Sequence, residues 1–183
     1  VRLAEEHGWF AEAEHGEDLP LPASIQAIIS ARVDLLSQED KTLLQSAAVV
    51  GRVFWAGALS FADAGSPDEV REGLRRLARR ELVRPVRRSS MQGQEAYAFI
   101  HILIRDVAYG RLTRDERARL HEATARWLEA VSGDRAADVA ELLAHHLATA
   151  FELAPFEDPE RRRRNYRFLL LAAERAAAFD VAR

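Results

Sequence analysis

The sequence predicts a mainly α-helical protein, interrupted by one β-hairpin and continued by antiparallel helical hairpins. Three observations lead there. Apolar residues recur at helical spacing along most of the chain. Helix starts are punctuated by capping signals at Ser37, Ser66 and Thr113. The period drops to two only within residues 82–86 and 96–100.

In chain order, residues 1–7 read as the last turns of a helix stopped by Gly8, and the acidic stretch after it ends in Leu19-Pro20-Leu21-Pro22, an extended connection. Ile25, Ile28, Ile29, Leu35 and Leu36 then mark a helix from Ser24. A second opens at Ser37, with Asp40 three residues on as an acidic version of the capping box. Leu43, Leu44, Ala47 and Val50 form its stripe, and Gly51 closes it. Phe54 and Trp55 lead into a short helix through Leu59 and Phe61. Ser66-Pro67-Asp68-Glu69 combines a cap, a proline at the first helical position and two acids in the first turn. Val70, Leu74 and Leu77 share one face of that helix, while Arg71, Arg75 and Arg79 project away from it. Leu82-Val83-Arg84-Pro85-Val86 and Ala96-Tyr97-Ala98-Phe99-Ile100 alternate as two strands around a polar turn holding Gly93. Further helices run from His101, from the capping box Thr113-x-x-Glu116, around Leu142 and Leu143, and around Phe168. Helix, helix, helix, hairpin is the order of a winged helix, and paired helices of this length resemble tetratricopeptide-like repeats.

Composition narrows the function. Of 183 residues, 48% are hydrophobic and 30% charged, an ordinary soluble balance with no span long enough for a bilayer and no signal-peptide pattern, so a cytoplasmic protein is expected. The absence of cysteine excludes disulfides, thiol catalysis and thiolate metal sites. The net charge of −3 hides a segregation: residues 1–20 carry six acids against Arg2, and residues 71–88 carry eight arginines against Glu72 and Glu81. Such asymmetry marks a nucleic-acid surface or an interdomain face. As only Lys41 is a lysine, however, the arginine bias extends along the whole chain.

Catalytic signatures are missing from the sequence. There is no Gly-x-x-x-x-Gly-Lys-Ser/Thr loop, no Gly-x-Gly-x-x-Gly and no Gly-x-Ser-x-Gly. His145 and His146 are adjacent, so on a helix they point about 100° apart; neither a metal site nor an enzyme is expected. His101 stands out by position. It falls between the second hairpin strand and the next helix, where free N–H groups and the helix dipole favour an anion. A histidine that simply caps its helix is the competing reading.

Residues 97–109, Tyr-Ala-Phe-Ile-His-Ile-Leu-Ile-Arg-Asp-Val-Ala-Tyr, resemble the end of the winged-helix domain of STAND ATPases, the signalling relatives of AAA+ proteins. Residues 21–36 resemble the helix that enters this domain in bacterial members, which are often fused to nucleotide cyclases, LuxR-type regulators or protein kinases. Leu142-Leu-Ala-His-His-Leu147 and Leu170-Leu-Ala-Ala-Glu-Arg-Ala176 resemble the helical repeats found after that domain.

The resemblance implies a regulatory fragment with no cofactor of its own, from a parent that binds ADP or ATP with Mg. Its partners would be an upstream nucleotide-binding domain, further helical repeats and a protein ligand. Residues 1–21 would be the tail of a helical lid and a linker, 22–112 the winged helix and 113–183 the repeat segment. Both chain ends then read as cut within helices. His101 would take the place of the family's nucleotide-sensing histidine, with Ile100 and Ile102 where the NB-ARC branch has Met and Asp. The alternative is a DNA-binding regulator using Arg71, Arg75, Arg79, Arg84, Arg87 and Arg88, against which stands a pI of about 6.1.

Overall fold

A computed structural model describes residues 23–133, 138–155 and 158–180. The expected helical tail and linker over 1–21 lie outside the described residues. Eight helices and three strands are present among the described residues. They are α1 (Ala23–Asp34), α2 (Gln38–Val50), β1 (Val53–Trp55), α3 (Ala56–Phe61), α4 (Pro67–Arg79), β2 (Val83–Pro85), β3 (Ala96–Phe99), α5 (Ile102–Gly110), α6 (Arg114–Ser132), α7 (Ala140–Leu153) and α8 (Pro159–Asp180). No helix among them is long and apolar enough to cross a membrane.

The capping signals do what their chemistry requires. Ser66 and Thr113 each accept from the backbone N–H three residues on, and Glu69 and Glu116 reach back to the cap residue's N–H. These bonds hold both carboxyls below their usual range, Glu69 first through the Ser66 hydroxyl and Glu116 first through the Thr113 backbone. Ser37 also caps its helix, but Asp40 departs from expectation. Its carboxylate faces inward, buried, and takes a two-pronged bond from Arg76 of α4, at 3.0 Å from Nε and 2.7 Å from Nη2. A charge facing the core is stabilised only by a fixed opposite charge, and the α4 guanidinium supplies one. Next to this pair α2 and α4 approach closely: a Cβ on Gly73 would stand 2.6 Å from a Leu43 methyl.

The hairpin is one strand wider than its sequence indicates. β1 pairs antiparallel with β3, as does β2, giving the order β1-β3-β2. The alternation expected of β3 is therefore absent: as the middle strand, all four of its residues are buried. Phe54 of β1 lies opposite Tyr97 and packs on Phe99, ring centroids 5.3 Å apart.

Helices α6, α7 and α8 form an up-down-up layer. Arg114, at the start of α6, donates to the carbonyls of Glu152 and Leu153 at the end of α7, so these two run antiparallel. Arg161 and Arg164 of α8 reach Glu122 and Glu129 of α6, which sets α8 parallel to α6. The turn at Leu112–Thr113 is not a break in the core. One apolar cluster runs from Ile29 through Leu44, Trp55 and Trp127 to Phe168. Of the apolar residues of α8, Phe168 is buried, whereas Tyr166 (65%) and Leu170 (61%) are exposed together with Leu169.

Removing the buried half of the α2–α4 pair leaves Arg76 without its main partner. Asp40→Ala should lower the unfolding free energy by about 2–3 kcal/mol in a urea titration; a change within about 0.5 kcal/mol would mean the pair contributes no more than an exposed one.

Candidate functional site

His101 lies two residues past β3, and the chain turns there from extended backbone into α5. Its φ of −136° and ψ of 141° are those of a cap residue, and its Nδ1 accepts from the Leu103 N–H at 3.2 Å. The competing capping reading thus describes one nitrogen of the ring. An Nδ1 that accepts carries no proton, so the neutral ring holds its proton on Nε2. The residue is exposed, as are Ile100 and Ile102 on either side of it. What the arrangement offers chemically is one N–H donor at an exposed helix start, between two apolar side chains.

The arginines divide into two groups. Arg71, Arg75 and Arg79 line an open groove on α4, where they alternate with Asp68, Glu72 and Glu95. Arg71 is bonded to Asp68, a contact that raises the guanidinium pKa, first through the hydrogen bond itself. Arg84, Arg87 and Arg88 are exposed on β2 and in the turn after it. The α4 groove brings together three of these six, without Arg84, Arg87, Arg88 or His101.

A different set of residues does converge. His145 and His146, side by side on α7, come together with a third histidine. Across the antiparallel contact, His121 of α6 lies against both, and one ring nitrogen from each of the three falls within 4.8 Å of the others. His121 arrives from the facing helix with its ring centroid 6.0 Å from that of His145 and 5.0 Å from that of His146. The Nδ1 atoms of His121 and His146 are 2.8 Å apart, and the Tyr109 hydroxyl is 3.1 Å from His121 Nε2. His121 and His146 are buried. His145 is solvent-exposed at its outer side, with its ring centroid 5.3 Å from that of His146.

Burial is the main cause holding all three imidazoles below their ordinary value, His121 down to about 3. The charges facing the cluster are Arg105 of α5, Arg117 of α6 and, opposing them at His145, Glu152 of α7.

Comparison with protein families, curated proteins and solved structures returned no match to this chain.

Both histidine environments have measurable consequences. His101→Ala should cost about 1 kcal/mol by removing the α5 cap, and His101→Ser should restore most of it, read by urea denaturation; equal losses in both would remove capping from the account. An imidazole lowered in the folded state binds protons better when unfolded. Stability is therefore intact above about 6.5 and declines as pH falls from there towards 3. Thermal midpoints measured across that window should fall more gently in His121→Gln than in the unaltered chain, and parallel curves would contradict the assignment.

Proposed function

We propose that this chain is a non-catalytic regulatory module of a nucleotide-switched signalling protein of the STAND type, and that His101 senses bound ADP. The element order α2-β1-α3-α4-β2-β3 fits a winged helix, and the up-down-up α6–α8 layer fits the start of a tetratricopeptide-like array. The observation that carries the reading is the division of labour in the His101 ring. Nδ1 is committed to the α5 cap, so Nε2–H is left at an exposed helix start, the chemistry suited to one oxygen of a diphosphate. The exposed Ile100 and Ile102 suit a neighbouring domain closing over that donor, which would deliver the nucleotide and exclude water. On α8, Tyr166, Leu169 and Leu170 are spaced three and four residues apart on one face, as packing against a further helical hairpin requires.

The groove at Arg71, Arg75 and Arg79 favours a protein neighbour over DNA. Its three carboxylates offset the arginines locally, whereas a track for phosphates needs uncompensated cations. A gel shift on duplex DNA should accordingly show no steep salt-dependent binding by this chain.

A single hydrogen bond to phosphate contributes about 1.5–3 kcal/mol, enough to bias a two-state switch tenfold or more but too little to hold ADP alone. In a protein where this chain comes after its nucleotide-binding domain, His101→Ser keeps the cap and removes the donor. ADP release should then accelerate by about tenfold or more while the thermal midpoint stays close to the parent's. ADP retention equal to the parent's would refute the sensing role.

A further inference from the structure

The nucleotide reading makes no use of a set of three nitrogen ligands among the described residues, which lies between α6 and α7 rather than at the start of α5. We propose that His121, His145 and His146 form a three-histidine site for a first-row divalent cation, Zn2+ the foremost, which ties α6 to α7.

Ligand type comes first. Three imidazoles with no thiolate and no ring of carboxylates suit Zn2+, Cu2+ or Ni2+ and are poorly suited to Ca2+ or Mg2+, which take oxygen ligands. A set of three protein nitrogens leaves a fourth position for water or a small anion. Geometry comes second. Two nitrogens at about 2.0–2.1 Å from a tetrahedral metal stand on the order of 3.4 Å apart. The Nδ1 atoms of His121 and His146 are 2.8 Å apart, so the rings need part by only about half an ångström. One ring nitrogen of His145 falls within 4.8 Å of a ring nitrogen of each of the other two.

The surroundings carry the features of a metal site. A ligating histidine donates its other ring N–H to an outer partner that fixes its orientation. With Nδ1 of His121 facing the metal, Nε2–H donates to the Tyr109 hydroxyl at 3.1 Å. Tyr109 is held by Arg105 and Arg117, stacked on its ring at 4.7 and 4.6 Å. These two cations oppose a metal, but both are engaged elsewhere: Arg105 with Asp106 and the Ala48 carbonyl, Arg117 with the carbonyls of Tyr109 and Gly110. They also favour an anion as fourth ligand. His146 Nε2, buried without a hydrogen-bond partner, is the atom that takes up the proton shared by the two Nδ1 atoms when the metal replaces it. The exposed side of His145 is the route by which an ion enters.

His145→Ala is the variant of choice, since an exposed residue is removed without opening a cavity. Zn2+ titrated calorimetrically into the metal-free chain at neutral pH should bind one equivalent and raise the thermal midpoint. Co2+ in its place should give the intense visible bands of a tetrahedral nitrogen site. His145→Ala, folded by circular dichroism, should weaken Zn2+ by at least about tenfold, since even outer-shell losses reach that size. His101→Ala and the double variant His7→Ala/His15→Ala should bind as the unaltered chain does. Absence of a stoichiometric site, or equal affinity in His145→Ala, would overturn the proposal.

Discussion

The placement of β3 between β1 and β2 is the constraint on which the rest depends. A strand paired on both edges has its backbone groups satisfied, and here all four of its side chains are enclosed as well. Such a strand cannot slip in register without exposing apolar area, so the chain beyond it is fixed in space. Two residues later the backbone must leave the sheet, and His101 makes the exit by capping α5. Strand, cap and helix follow one another without an intervening loop, and α1 and α2 both pack against α5. Arg111 at the end of α5 reaches Asp34 and the Ser30 carbonyl of α1, and Arg105 donates to the Ala48 carbonyl of α2.

Much of this was legible in the sequence wherever the physics is local. Caps at Ser37, Ser66 and Thr113 act over three residues, and the helical stripe of Val70, Leu74 and Leu77 is a property of one element. Features that depend on distant partners were not. β1 is three residues long, too short for a period to declare itself, and exists because Ala96–Ala98 lies beside it. Asp40 reads as a capping acid until Arg76, 36 residues on, claims it. The spacing of His145 and His146 argues against a shared focus. The antiparallel return of α7 along α6, which brings His121 opposite them, is a long-range feature that this spacing does not contain.

The histidines illustrate how environment sorts one side chain into different chemistries. At the start of α5 an exposed ring spends one nitrogen on local structure and presents the other outward. Between α6 and α7, rings stripped of water lose their readiness to take a proton and stay neutral, one Nδ1 donating to the other across the helix pair. Neutral imidazole is also the form that ligates metals. The burial that disfavours the charged state is thus the same condition that leaves the ring nitrogens open for coordination.

The attachment of α8 has a consequence for how the protein comes apart. Among its described side chains, those that grip the layer include the enclosed Phe168 ring, the partly buried Leu171, the Asn165 amide bonded to the Leu147 carbonyl, and guanidinium contacts to Glu122 and Glu129 of α6. Charge contacts weaken as ions screen them, whereas the apolar core does not. Raising ionic strength should therefore free the outermost helix before it disturbs the sheet or α2. Local opening would begin at this margin and progress inward, making α8 the first element to exchange its amide hydrogens.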